Sequence, residues 1–474
     1  MSATRGSVWL MGAQAWHALT GYVIFRVATE ALGDAGYGAF TSVLWTMTTL
    51  EVLVTEGAPR AMGLRIARSP AGTAALLRRT LFATHGVALL LCAALFVVAP
   101  FIAAAWQADH LADAVRISGL DFLTFAGFAV FAALANGLHS FAAQARVQFV
   151  YSTIKVVVVS VMVWQTRSVA GVMLGYVLAS LGGSVAAWLL TRSLPRAPEP
   201  ECAAEQHAPA WPFALQSVLL LLLLNVDLWI SAALVGADSA RLGIYGMAAT
   251  LCRSVFFVLR AVGEALLPSV ASAHAAAAHS EVRVLVRRGM SLLFVLLLPI
   301  TAVGMACGGS VLALLFGEQR HAEGEVFLRF LLPAAAAFTL LAVQVALLNA
   351  ARGALRAVLL LSGALVAATV ACQIAAHVAG IEGVALAACA SSVAAMLVGM
   401  LLLRRVFGAV VPWGALGYSA VAAGGVYAAA SAWQPAGWWV FVWGALLCGL
   451  CVAGALACGV LARQRSAHAT PPQE

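Results

Sequence analysis

The chain has 474 residues, of which 63% are hydrophobic and only 10% are charged, and its mean hydropathy is +0.96. This composition excludes a soluble globular protein, since such domains carry about 25% charged residues. The formal net charge of +8 does not indicate nucleic-acid binding, because the arginines form scattered pairs between apolar segments and not one continuous basic stripe.

The apolar residues fall into about fourteen successive windows, each near the roughly 20 residues that a helix needs to cross a hydrocarbon core. The windows lack the alternation typical of barrel strands, so we expect helices. Met1–Gly6 is a short, weakly basic lead that does not resemble a cleavable signal. The predicted spans are 7–28, 38–57, 80–105, 118–137, 147–165, 169–190, 213–235, 243–266, 290–315, 326–350, 357–378, 384–403, 411–431 and 438–461.

The arginines predict the orientation of these spans. When successive connections are assigned to alternate sides, the arginines fall almost entirely on one side, which the positive-inside rule identifies as cytoplasmic. The arginine-rich connections include 58–79, 192–196, 283–288, 352–356, 404–405 and 463–465. We therefore expect a multi-pass membrane protein with both termini in the cytoplasm.

The longest polar interruption, residues 192–212, contains five prolines and predicts a cytoplasmic linker. It separates a six-helix lobe, 1–191, from a second one, 213–403, and residues 404–474 would add two helices and a tail.

Similar short stretches in the two lobes favour an internal repeat: Gly38-Ala39-Phe40 and Gly243-Ile244-Tyr245 each open a span. In transporters with repeats, the substrate site lies between the repeats near the midplane. The expected fold is thus an all-α polytopic bundle of two lobes around a central cavity.

Charged residues near the middle of predicted spans indicate function, because each costs a few kcal/mol unless it faces a partner or a wet cavity. The lumen candidates are Arg253, Asp227 with the neighbouring Asn225, Glu51, and Lys155, which is the only lysine in the chain. Arginine suits a diphosphate because its planar fork offers paired donors.

Each candidate also has a structural explanation. Asp227 and Arg253 could neutralise one another between helices, and Glu51 could pair with an arginine of the stretch 60–68. Asp227, Glu51 and His17 are candidates for coupling transport to a cation, although His17 also fits an ordinary packing role. Asp121 carries little weight, because it lies close to the external end of its predicted span.

The motifs of other protein classes are missing from the sequence. No phosphate-binding Gly-x-x-x-x-Gly-Lys-Ser/Thr loop occurs, which argues against an ATP-driven pump. A membrane enzyme would ordinarily carry its acids, bases or metal ligands on a sizeable loop, and the loops here are short. We therefore predict a non-enzyme with no catalytic residues, metal or cofactor.

Several short stretches resemble the Wzx-type polysaccharide-biosynthesis flippases of the multidrug/oligosaccharidyl-lipid/polysaccharide exporter (MOP) superfamily. They are Ala31-Leu32-Gly33, Gly57-Ala58-Pro59-Arg60, Ala265-Leu266-Leu267-Pro268, Leu315-Phe316-Gly317, Leu348-Asn349-Ala350-Ala351-Arg352 and Gly380-Ile381-Glu382-Gly383, together with the two span openings above.

The resemblance implies alternating access and transport of an undecaprenyl-diphosphate-linked oligosaccharide from the inner to the outer leaflet. Its implied partners are this substrate, membrane lipids, a polysaccharide polymerase and export machinery, for an O-antigen or exopolysaccharide. The alternatives are a cation-coupled multidrug or metabolite antiporter of the same superfamily, and a lipid II flippase, which the two extra helices favour. A non-transporting scaffold would give no reason for midspan charges.

Overall fold

The computed structural model describes residues 3–68, 72–194, 211–275, 279–317, 321–350, 354–408, 411–435 and 437–460. These residues form thirteen α-helices and one 3₁₀ turn, Asp109–Leu111, and contain no β-strand. Only helices satisfy their backbone hydrogen bonds within a single apolar segment, which explains this uniform structure. The predicted all-α polytopic fold is confirmed.

The helices follow one another with short connections. They are α1 (Ala3–Thr55), α2 (Ala58–Arg68), α3 (Thr73–Ala105), α4 (Ala112–Gly137), α5 (Phe141–Thr166), α6 (Val169–Thr191), α7 (Trp211–Val235), α8 (Ala240–Ala275), α9 (His279–Phe316), α10 (His321–Ala350), α11 (Ala354–Phe407), α12 (Trp413–Ala432) and α13 (Trp439–Ala457).

Two long helices are each interrupted at a glycine. In α1 the break is at Gly33, with φ 69° and ψ −177°, and in α11 it is at Gly380, with φ 64° and ψ −152°. Only glycine adopts this backbone region at little cost, because a Cβ atom would clash with the chain. Each break separates two predicted spans, so the glycines act as the connection between them.

Every predicted span overlaps a helix or half of a divided helix, although their ends differ, and the number of fourteen spans stays a prediction. By length and composition, nine helices of the described residues are apolar enough to cross a membrane, and the 54-residue α11 contains two predicted spans. Residues 195–210 of the predicted linker lie outside the described residues.

The described residues form two compact units, 1–246 and 247–474, and their boundary falls within α8. In the first unit, α1 packs against α4, α5, α6 and α7. In the second, α10 packs against α9 and α11, and the C-terminal pair α12 and α13 packs on α9. The division into lobes at residues 192–212 stays a prediction.

The C-terminal pair is attached to α9 by polar contacts at one end. Gln434 donates a hydrogen bond to the carbonyl of Ala306 at 2.8 Å, and its own amide oxygen accepts one from Ser310 at 2.8 Å. Val426, Val440 and neighbouring residues add an apolar core against α9. The two helices therefore belong to the folded second unit.

The two repeated span openings meet each other. Gly38 in α1 lies against the start of α8, where a Cβ atom added to it would stand 2.9 Å from the backbone nitrogen of Gly243. A Cβ atom on Gly243 would in turn overlap the carbonyl oxygen of Asp34. Glycine is needed at this position of both repeats, because the two backbones approach closely at this crossing.

We predict that Gly243→Ala destabilises the protein, because the added methyl group has no room beside the Asp34 carbonyl. Overpacking of this kind costs about 2 kcal/mol, which should lower the Tm of the detergent-purified protein by several degrees. Gly424→Ala is the matched control, since Gly424 lies in α12 with no atom near its Cβ position. Equal Tm values for the two variants would contradict the close crossing.

Candidate functional site

Three of the charged side chains in the first unit converge between helices. Glu51 lies in the second half of α1, Asp121 in α4 and Lys155 in α5, and these helices pack together. The three groups are close enough to interact electrostatically. The sequence predicted Glu51 and Lys155 as lumen candidates, and the structure brings them into one group, which we call the Lys155 cluster.

Aromatic rings hold the ammonium group of Lys155 within the bundle. Its Nζ lies 5.3 Å from the ring centroid of Tyr151 and 6.0 Å from that of Tyr176. Both tyrosines are buried, whereas Lys155 is half-buried. A cation over an aromatic face is attracted by the ring quadrupole, so the contacts fix the lysine at the depth of the rings. Lys155 therefore does not extend along its stem to the membrane surface.

Asp121 is the member of the cluster that sequence reasoning missed. It has 2% exposure, and its carboxylate oxygen Oδ1 is buried without a hydrogen-bond partner among the described residues. Asp121 carried little weight because it lies close to the external end of its predicted span, but α4 begins at Ala112, so Asp121 lies more than two helical turns inside the helix. The signal available in the sequence was a lone acid in an apolar segment.

The charges of the Lys155 cluster do not cancel. Two carboxylates and one ammonium group give a formal charge of −1 when all three are ionised. Arg60 of α2, one of the arginines considered as a partner for Glu51, pairs instead with Glu56. The acidic excess must be met by a bound cation, by a proton or by solvent, because uncompensated charge is costly in an apolar bundle.

His17 lies beside this cluster in the first half of α1. Its Nδ1 is 2.8 Å from the hydroxyl oxygen of Ser152 in α5, and the indole of Trp16 donates to Thr153 at 3.0 Å. These two contacts attach the first half of α1 to α5, which fits a packing role. Lys155 is near enough to interact with the imidazole electrostatically, so a coupling role for His17 stays a prediction.

A second polar group surrounds the predicted residues of α7. The amide nitrogen of Asn225 donates to the hydroxyl of Thr49 at 3.0 Å and to the carbonyl of Leu221 at 2.8 Å. Asp227 accepts a hydrogen bond from the hydroxyl of Tyr245 at 2.5 Å. All these side chains except that of Leu221, which contributes its backbone, are buried polar groups inside the first unit.

The two polar groups lie on different faces of the same helix. Thr49 and Glu51 are two residues apart in α1, which corresponds to a rotation of about 200° around the helix axis. Thr49 faces α7, and Glu51 faces the Lys155 cluster. Arg253 lies in α8 within the second unit and has 3% exposure. A pairing of Asp227 with Arg253 stays a prediction.

The site contains no arrangement that indicates metal chemistry. Among the described residues, no three or more His, Cys, Asp or Glu side chains come together in a way that could hold a metal ion.

Comparison with known proteins gives a family and a fold. A family model described as a polysaccharide biosynthesis protein matches residues 3–274, more than half of the chain. Comparison with curated proteins found no match. The resemblance noted in the sequence is confirmed by the family model.

Several solved structures share the fold. A multidrug resistance MATE family transporter of the MOP superfamily, in an inward-facing conformation, aligns with a TM-score of 0.67 and 14% identity, covering 83% of this chain and 95% of its own. The lipid II flippase MurJ aligns with a TM-score of 0.69 and 9% identity, covering 96% and 99%. A MOP superfamily transporter from Pyrococcus furiosus gives 0.63 and 15%, covering 86% and 95%.

We predict that Lys155→Met destabilises the protein, because it removes the cation that Glu51 and Asp121 share. Breaking a buried ion pair costs roughly 3–5 kcal/mol, and for a half-buried lysine we expect about 2 kcal/mol. The double variant Lys155→Met with Glu51→Gln should recover part of the lost Tm. Arg404→Met, an exposed charge removal at the end of α11, is the control. No recovery in the double variant would mean that Glu51 and Lys155 do not interact.

Proposed function

The chain belongs to the polysaccharide biosynthesis protein family, and on this premise we propose that it is a flippase for an undecaprenyl-diphosphate-linked oligosaccharide. The protein has the multi-pass helical fold of MOP superfamily transporters. In our proposal it works by alternating access in the bacterial inner membrane, with both termini in the cytoplasm. It would supply surface polysaccharide biosynthesis, upstream of a polymerase and export machinery.

The observation that carries the proposal is the ammonium group of Lys155 inside an apolar bundle. A lipid-linked oligosaccharide carries two phosphates, which need cationic partners once they leave water. Lys155 offers a point charge at the depth of two tyrosine rings. Tyrosine rings also provide flat apolar faces and hydroxyls, which suit the polar and apolar surfaces of a sugar.

The acidic neighbours of Lys155 suggest how binding is regulated. The carboxylates of Glu51 and Asp121 already interact electrostatically with the ammonium group of Lys155. A diphosphate must therefore compete with these carboxylates for the ammonium group. Neutralising either carboxylate with a proton or another cation would release the ammonium group for the substrate. This competition makes Glu51 the first candidate for coupling, and Asp227 is the second, in the other polar group.

In this proposal the further candidates for substrate contact are Asp227 and Asn225 in the first unit and, separately, Arg253 in the second. Arg253 supplies a bidentate donor for a phosphate, and Asn225 retains one buried amide oxygen, Oδ1, without a hydrogen-bond partner among the described residues. An unsatisfied buried acceptor can receive a hydroxyl hydrogen from a sugar.

A cation-coupled multidrug antiporter is the second candidate. The formal −1 charge of the Lys155 cluster would favour an organic cation over an anion, and the MATE transporter shares the fold. A lipid II flippase is the third, because the alignment with MurJ covers 96% of this chain. Each of the three functions would rescue a different deficient bacterial strain, so complementation experiments can distinguish them.

We predict that the wild-type protein restores surface polysaccharide in a bacterial strain lacking its O-antigen flippase. Lys155→Ala and Arg253→Ala should each reduce the restored glycan at least tenfold at equal membrane levels. Each loses a buried cation, and one charge-assisted hydrogen bond is worth about 1.5–3 kcal/mol. Surface glycan is measured by silver-stained gels and lectin binding.

The control for charge loss is Arg404→Ala, which removes an exposed arginine from the end of α11. Rescue of a strain depleted of its lipid II flippase, or drug resistance in a pump-deficient strain, would support the other two candidates instead. Full activity of both Lys155→Ala and Arg253→Ala would rule out the cationic lumen.

We also predict that Glu51→Gln binds undecaprenyl diphosphate more tightly than the wild type. Removing one competitor for Lys155 should lower the Kd by about threefold or more, equivalent to roughly 0.7 kcal/mol. Binding is measured by tryptophan fluorescence of the detergent-purified protein. Asp113→Asn, an exposed carboxylate that pairs with Arg116, is the matched control. A weaker affinity of Glu51→Gln would show that the carboxylate assists binding, against the competition proposed here.

A further inference from the structure

Three arginines form a basic surface next to the apolar bundle of the first unit. Arg65 lies on α2, and Arg78 and Arg79 lie near the start of α3, which contacts α2. All three side chains are exposed. We call this group the α2–α3 basic surface.

The orientation of α2 is fixed by its apolar face. Met62 and Ile66, one helical turn apart, are buried in a core cluster with Leu77 of α3 and Phe128 and Leu134 of α4. Arg65 is exposed and therefore lies outside this buried face of the helix. The helix has the form of an amphipathic segment at an interface.

Exposed apolar side chains stand directly beside the arginines. Leu64 on α2 is 59% exposed, and Phe82 on α3, one helical turn after Arg78, is 76% exposed. Further along α3, Leu89 and Leu90 are also exposed, as expected of a helix face that contacts hydrocarbon. The arginines thus lie at the level where the hydrocarbon face begins, which is the depth of lipid headgroups.

The basic surface has no acidic counterpart among the described residues. No ion pair among the described residues joins Arg65, Arg78 or Arg79 to an Asp or Glu, whereas the neighbouring Arg60 pairs with Glu56. Topology alone explains arginines in this connection, but it does not require them to share one exposed face with Leu64 and Phe82. Unpaired guanidinium groups beside apolar side chains match the phosphate and the upper acyl chain of a phospholipid.

We propose that the α2–α3 basic surface binds the headgroups of anionic phospholipids in the leaflet where it lies. Arginine offers paired donors to a phosphate, and each basic residue near an anionic membrane surface contributes about 1 kcal/mol. Leu64 and Phe82 contact the acyl chains and select a membrane lipid over a soluble polyanion. This site is separate from the Lys155 cluster and does not depend on the proposed transport substrate.

The test uses the full chain in nanodiscs that contain phosphatidylglycerol and phosphatidylcholine in equal amounts. Lipids that remain bound after mild delipidation are counted by native mass spectrometry. The wild type should retain phosphatidylglycerol over phosphatidylcholine by tenfold or more. The variant with Arg65, Arg78 and Arg79 changed to Gln should lose this preference, and the corresponding Lys variant should keep most of it.

The matched control is Arg404→Gln with Arg405→Gln, which removes an exposed arginine pair from the second unit and should leave the preference intact. Equal retention of the two lipids by the wild type, or full preference in the Gln variant, would overturn the proposal. Added undecaprenyl diphosphate should not displace the phosphatidylglycerol. If it does so at lower concentration than phosphatidylglycerol itself, the surface captures the lipid-linked substrate, and the phospholipid assignment is wrong.

Discussion

The structure depends on the requirement that backbone polar groups be satisfied inside hydrocarbon. A hydrogen-bonded helix meets this requirement within one segment, so the chain is a succession of helices whose connections, apart from residues 192–210, are six residues or fewer. The same requirement limits where a helix can be broken. Gly33 and Gly380 turn the chain at a single residue, in a backbone region that only glycine adopts cheaply. These breaks reverse the chain without exposing a long loop.

The same medium makes every buried charge depend on its neighbours. Lys155 rests over two tyrosine rings and faces two carboxylates, and Arg26 pairs with Glu30 at 2.6 Å elsewhere in the same unit. The Arg26–Glu30 pair and the Lys155 cluster differ in their charge balance. Arg26 and Glu30 are partly exposed and neutralise one another one helical turn apart, whereas the Lys155 cluster holds one cation for two acids. An unbalanced cluster responds to any cation or anion that reaches it, which is the property a transport site needs.

Much of this architecture could be predicted from the sequence, because length and hydropathy determine a membrane helix. All the predicted spans fall on helices, and the repeated Gly38 and Gly243 meet at a close crossing. Asp121 received too little weight because α4 begins six residues before the predicted span. The carboxylate therefore lies further from the start of the helix than the sequence indicated. The contacts of Lys155 with the rings of Tyr151 and Tyr176 could not be predicted from the sequence either. In a helix that is apolar on every side, periodicity does not indicate which face turns toward a neighbour.

The second half of α1 connects the two polar groups of the first unit. Thr49 holds Asn225 of α7 on one face, and Glu51 meets the Lys155 cluster on the other. A helix is stiff over this short distance, so a rotation that improves the contacts of Glu51 must change the position of Thr49. Such coupling needs no further chain of contacts, because both polar groups act on the position of the same rigid helix. A movement of this half of α1 that changes the surroundings of Glu51 would therefore also change the hydrogen bond between Thr49 and Asn225.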